Sequence, residues 1–183
     1  MRNLLFTLVG ILCLCYPSAG QDKSKAKPLP DQEESRIREA MNIPPTTAIT
    51  FVPSKVLPDS NPFKVYGLVI SELEMNDPSQ ATHTWVEAWN KRNASKYGSV
   101  EAATNISQAE VIFLWFVTPL KGGGDNYGLG PIVSVTSYLI VQKATGLEIV
   151  WRERYFSTIP KFSTAIDEAF KERMKVRAKA LKK

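Results

Sequence analysis

A chain of 183 residues, 44% of them apolar and 22% charged, carries enough apolar material for one domain with a core of its own. A single histidine excludes a multi-histidine metal centre and makes any Ser–His–Asp triad depend on His83 alone. The formal charge of +5 is uneven: residues 171–183 carry seven basic side chains against Glu172, while residues 21–170 carry fifteen basic against seventeen acidic, so the domain-wide basic face of a nucleic-acid binder is missing.

The N-terminus reads as a secretory leader. Arg2 precedes an apolar run, Leu4–Tyr16, followed by the small residues Ser18-Ala19-Gly20, and cleavage is expected after Gly20, with Ala19 as the near alternative. Thirteen apolar residues fall short of the ~20 that a membrane-spanning helix needs. Both cysteines, Cys13 and Cys15, lie in this leader, each preceded by leucine where lipid attachment would need a small residue. The mature chain is thus expected to lack disulfides and thiolate metal ligands, the pattern of a bacterial exported protein stabilised by its core. The organisation expected is a signal peptide at 1–20, a flexible polar spacer at 21–44 and a single α/β domain at 45–183.

Along the mature chain, Arg36–Met41 predicts a short helix ended by Pro44-Pro45, and Thr46–Val52 a strand. Lys64–Leu73 predicts a buried strand. Asp77-Pro78 is a clear helix start, with Asp77 as N-cap and Pro78 in the first turn, and the helix is expected to reach about Arg92. A short helix is expected at Ser99–Asn105. Ala109–Val117, AEVIFLWFV, has the continuous apolar character of a central strand buried on both faces, and the helix before it permits a parallel crossover from Lys64–Leu73.

A glycine-rich link, Lys121–Pro131, leads to Ile132–Val141, a turn at Lys143–Gly146 with Gly146 at positive φ, and Leu147–Phe156. Strict alternation puts Val133, Val135, Ser137, Leu139 and Val141 toward the core. In the returning strand it puts Leu147, Ile149 and Trp151 on one face and Glu148, Arg152 and Arg154 on a wet opposite face. A last helix is expected from Ser163 or Thr164, docked through Ile166, Phe170 and Met174, with Arg173 and Arg177 carrying its final turns away from the body. The fold class expected is α/β (an α+β sandwich): a mixed sheet of four to five strands with a C-terminal antiparallel hairpin and helices packed on it.

Catalytic signals are weak. No serine has the G-x-S-x-G setting, and the lysine of KGGGDNYGLG precedes its glycines, unlike a phosphate loop. No catalytic residue, metal ligand or cofactor site is assigned. Glu72 and Glu74, with Asp77 close behind, are the carboxylates that a glycosidase-like hydrolase would use. The four tryptophans, Trp85, Trp89, Trp115 and Trp151, suit core packing or the lining of a sugar or peptide groove. Candidate binding residues are Tyr127 in the glycine-rich loop, Trp151, Arg152 and Arg154 on the hairpin, and Lys175 and Lys179 in the basic tail.

Over Ala109–Tyr155 the order of an Ala-acidic-apolar strand, a glycine-rich link, VSVTSYLIV and ATGLEIVW resembles the periplasmic domains of the curli secretion pore protein and of lipoprotein activators of penicillin-binding proteins. That resemblance implies a non-catalytic α/β domain working at the cell envelope. The function expected is an exported bacterial envelope accessory or binding protein, periplasmic or secreted, that engages a protein or an acidic cell-wall polymer. Nucleic acid is not expected as a partner, and the basic tail offers peripheral contact with anionic lipid. A secreted carboxylate-dependent hydrolase and a small apolar-ligand carrier are the alternatives.

Overall fold

The computed structural model describes residues 28–73, 77–120 and 132–180. Helix α1 spans Asp31–Met41, strand β1 Ile49–Phe51, β2 Phe63–Ser71, α2 Pro78–Tyr97, β3 Val100–Ala102, β4 Val111–Pro119, β5 Val133–Lys143, β6 Gly146–Ser157 and α3 Phe162–Ala180. The six strands form one mixed sheet in the order β1-β6-β5-β4-β2-β3. β2 pairs in parallel with β3 and β4, β1 pairs in parallel with β6, and β5 lies antiparallel between β4 and β6. β5 is therefore the one described strand that runs against the others.

The fold is thus α/β as expected, with six strands where four to five were anticipated. The added strand, β3, stands where a short helix was expected at Ser99–Asn105, and a 3-10 turn follows at Ile106–Gln108. The Asn90 side chain holds β3, its Nδ2 donating to the Val100 carbonyl at 2.8 Å and its Oδ1 accepting from the Val100 N–H at 3.0 Å. Such local side-chain pairing of the backbone leaves no periodicity to read.

Residues Val111–Val117 of β4 are all buried, confirming its central position. α2 and α3 cover one face of the sheet, with Trp85, Trp89, Ile166 and Phe170 packed on Val65, Phe113 and Leu139. α1 lies on the opposite face, where Ile37 and Met41 meet Ile112, Leu114, Ile140 and Ile149. This helix begins at Asp31, five residues earlier than expected, with Asp31, Glu33 and Glu34 in its first turn, where carboxylates complement the positive end of the helix. Leu29, within the stretch expected to be a polar spacer, is buried in the same layer.

α2 begins as expected: Pro78 occupies its first turn and the Asp77 carboxylate accepts from the Ser79 N–H at 2.9 Å. The helix approaches β2 closely because Gly67 has no side chain. A Cβ there would land on Thr82 Oγ1 and 2.8 Å from Phe162 Cζ. The β5–β6 turn places Gly146 at φ 137°, as its sequence position implies.

Two departures reshape the C-terminal third. Leu139 pairs with Trp151 while Ile140 pairs with Ile149, leaving Val150 as an extra residue in β6. This β-bulge reverses the alternation beyond it. Leu147 and Ile149 face the α1 layer, but Trp151 joins Val150 on the α2/α3 side, and Arg152 and Arg154 follow on the α1 side. The expected grouping of Trp151 with Ile149, and of Glu148 with Arg152, is therefore corrected.

The second departure is α3, whose final turns remain docked. Arg173 and Arg177 are 8% and 2% exposed. Arg177 donates from Nε to the Pro58 carbonyl at 2.9 Å, and its Nη atoms donate to the Tyr97 and Ser60 carbonyls. It also lies over the Phe63 ring at 5.0 Å. Arg173 donates to the carbonyls of Ala169 and Val150, at 3.0 and 3.2 Å. A guanidinium presents five donors, and backbone carbonyls of the 53–62 segment and of the α2 end for Arg177, and of α3 and β6 for Arg173, receive them as the two side chains turn inward.

Gly67→Ala should lower stability by about 2–3 kcal/mol, because overpacking at a close helix–sheet contact cannot relax cheaply; urea denaturation followed by circular dichroism reads this directly. Arg177→Met, which keeps the stem but strands three carbonyls, should cost about 3 kcal/mol and expose the 53–62 segment to proteolysis ahead of global unfolding.

Candidate functional site

The bulge and the helix placements scatter the residues that the sequence grouped. Trp151 is half-buried on the α2/α3 side, stacked near Phe113 and with the Arg173 guanidinium 5.8 Å from its ring. Arg152 is turned to the other layer, where its Nη1 meets the Glu33 carboxylate of α1 at 2.7 Å and its guanidinium lies 5.7 Å from the Phe51 ring. That pair ties the N-terminal helix to β6. Beside it, the Tyr138 hydroxyl is pushed well above its ordinary range by burial and by the Glu33 charge.

Lys175 pairs with Glu172 at 2.6 Å on the outer side of α3, and Lys179 is exposed one turn further on. Tyr127, with the glycine-rich loop, lies outside the described residues. Of the acidic set, Glu72 is exposed, Asp77 is occupied as the cap of α2, and Glu74 lies outside the described residues. His83 is exposed on α2. Among the described residues no group of three or more His, Cys, Asp or Glu side chains could hold a metal ion, and no helix is long and apolar enough to cross a membrane.

What the fold does bring together is Arg154 and an apolar patch. α1 covers only part of its face of the sheet. Beyond it, the register sets Ile70, Phe116, Thr136 and Arg154 in one row across β2, β4, β5 and β6, with Thr118, Ser134 and Phe156 in the next. Leu120 and Ile132 close this end of the β4–β5 ladder through the Leu120 N–H to the Ile132 carbonyl, at 3.0 Å. Ile70, Leu120, Ile132 and Phe156 are exposed by 38, 37, 40 and 62%, so four of the large exposed apolar side chains gather here. Arg154 reaches the Ser134 hydroxyl at 3.3 Å, and Arg36 of α1 sits 4.5 Å from the Phe116 ring. The surface is apolar with two cations at its margin. Phe156 and Arg154 alternate in the sequence with Glu153 and Tyr155, so an ordinary half-wet strand was the natural reading; only the pairing with β5 and β4 shows the patch.

A second feature lies on the opposite face. Residues of α2 and α3, with Val69 of β2 and Trp115 of β4, line a cleft of about 930 Å³. Trp85, Trp115 and Phe162 belong to its wall, as do Thr84, Lys161 and Glu168. A smaller recess of about 350 Å³ shares Lys161, Thr164 and Glu168 with it and adds Glu153 and Tyr155 of β6. Burial, and then the charge of Glu168, hold the Glu153 carboxyl above its ordinary range. Glu153 and Glu168, fifteen residues apart on different elements, thus share the lining of one recess.

The raised Glu153 value means that the folded chain holds this proton more tightly than the unfolded one. Stability therefore falls as pH rises from the ordinary glutamate range through the raised value. Glu153→Gln should raise the melting temperature at pH 7, and the gain should shrink as pH falls and vanish at about pH 3, where the carboxyl is neutral in both the folded and the unfolded chain; thermal melts across that range check it.

No protein-family profile and no curated protein matches the chain. Among solved structures it is similar to a PelC dodecamer from Paraburkholderia phytofirmans, at 15% identity and a TM-score of 0.37, over 68% of this chain and 93% of that one. It is also similar to a DUF330 protein from Xanthomonas campestris, at 11% identity and a TM-score of 0.28, over 74% and 89% of the two chains. Likeness at this level assigns the chain neither a family nor a role.

Proposed function

We propose that this chain is an exported, non-catalytic protein of the bacterial cell envelope that docks an acidic and apolar segment of a partner protein on the open end of its α1 face. The observation that carries this reading is the gathering of Ile70, Leu120, Ile132 and Phe156 beside Arg154 and Arg36 on one continuous stretch of sheet. Contiguous exposed apolar side chains rimmed by charge mark a protein-interaction surface. The two guanidiniums favour carboxylates in the partner, and the apolar rows favour a protein over a purely polar cell-wall polymer. Export rests on the leader-like N-terminus, and the non-catalytic assignment on the resemblance of Ala109–Tyr155 to non-catalytic envelope domains.

A photo-crosslinking residue at Phe156, in protein expressed in its native host, should trap a discrete protein that the same residue at exposed Lys91 of α2 does not. Arg154→Glu should reduce the Phe156 product at least about tenfold without changing the circular dichroism spectrum. Equal products from both positions, or a crosslink to cell-wall polymer alone, would overturn the docking assignment; N-terminal sequencing of the mature protein should begin at Gln21.

A further inference from the structure

The two ends of the sheet are finished differently. At β3 the outward backbone of Val100 is closed by the Asn90 side chain, which bonds both its N–H and its carbonyl. At the other end β1 pairs only with Leu147–Ile149 of β6. Bonds from that side stop with the Val52 N–H to the Ile149 carbonyl and the Ser54 N–H to the Val150 carbonyl, each at 3.0 Å. β6 itself continues to Ser157, and among the described strands none lies along its outer side beyond Val150.

The register fixes which groups this open stretch presents. The Gln142 N–H bonds the Glu110 carbonyl of the strand on one side, so Leu139, Ser137 and Val135, out of phase with Gln142, turn their backbone to β6. Opposite them stand Trp151, Glu153 and Tyr155. Arg152, Arg154 and Phe156, which alternate with these, therefore turn their N–H and carbonyl groups outward, and all three residues are exposed. Their side chains lie on the α1 face, in the docking surface. Glu153, Tyr155 and Ser157 line the recess on the other face, together with Lys161 and the exposed Ile159. An unpaired edge is a template for a further strand: ladder bonds supply affinity, and pockets for alternate side chains choose the partner.

We infer that the partner binds as an extended segment added to β6 along Arg152–Phe156, an inference that rests on the docking reading above and gives it a mode. A segment running antiparallel to β6 sets one residue opposite Phe156 and another, two positions later, opposite Arg154, both on the α1 face. An aromatic or branched side chain fits the first place and a carboxylate the second. The residue between them projects over the recess. Charge disfavours a second copy of this chain as the occupant. The two-fold register that pairs all three outward residues puts the Arg154 side chains of the two copies directly opposite each other, and like charges so placed are destabilising. Arg154 thus guards the edge against self-pairing while favouring an acidic strand.

The test uses the mature protein and the peptide Ac-Thr-Phe-Thr-Glu-Thr-Tyr-NH2, whose phenylalanine and glutamate match Phe156 and Arg154 in that register. In the protein alone, hydrogen exchange followed by NMR should show the Arg154 and Phe156 amides at least about tenfold faster than those of Glu153 and Tyr155. The peptide should bind with a Kd below about 1 mM and slow those two amides to the rates of their neighbours. N-methylation of the peptide glutamate, whose N–H faces β6, should weaken binding at least about tenfold; N-methylation of the threonine before it, whose N–H faces away, should change it less than about threefold. Two results overturn the inference outright: no saturable binding at about 10 mM, or Arg154 and Phe156 amides already protected in the protein alone, the sign of an edge occupied by a second copy or by the chain's own segment. Binding that Arg154→Glu weakens but that responds equally to the two methylations overturns strand addition and leaves docking through side chains standing, which the Phe156 crosslink decides separately.

Discussion

The Val150 carbonyl is where the two faces of this protein are decided. It stands at the extra residue of β6 and accepts both the Ser54 N–H, at 3.0 Å, and the Arg173 guanidinium, at 3.2 Å. A bulge leaves backbone groups out of the ladder, and these need other partners if they are buried. Here a loop from one edge of the sheet and a helix from the far end of the chain supply them. With the bulge fixed, Trp151 must pack beneath α3, and Arg152 and Arg154 must turn toward α1.

Everything placed on β6 follows from that half-turn. Arg152 becomes the anchor of α1 through Glu33, and Arg154 is left beside Phe156, in the row where α1 reaches only through Arg36 over Phe116. On the other side, Glu153 and Tyr155 are delivered to the recess next to α3. An α/β sheet usually keeps its ligand sites at the carboxyl ends of its parallel strands. β2, β4 and β6 all end on the side where α2 and α3 begin, and both the cleft and the exposed patch lie at that side, on opposite faces.

The buried arginines give α3 its unusual attachment. Burial lowers Arg173 to about 10, still charged at neutral pH, and its partners are backbone carbonyls. Arg177 likewise spends its donors on Pro58, Tyr97 and Ser60, three carbonyls contributed by two separate segments. A carbonyl dipole balances a guanidinium less strongly than a carboxylate does, but three of them, with the Phe63 ring beneath, hold Arg177 without burying a second charge. The basic tail is therefore not uniformly available for binding: two of its cations hold the helix down, Lys175 is paired, and Lys179 remains open.

The sequence by itself determined the central strand, the parallel crossover and its helix start, and the hairpin turn. A run such as Val111–Val117, a cap such as Asp77-Pro78 and a glycine such as Gly146 each state their local structure through properties of neighbouring residues. Only the tertiary structure decided the face of Trp151, the inward course of Arg173 and Arg177, the meeting of Glu153 with Glu168, and the cluster around Phe156. Each depends on partners far away in the chain. Period-2 alternation carries no mark of an inserted residue, and a guanidinium's position is set by which backbone carbonyls the fold brings within its reach rather than by its place in an amphipathic pattern.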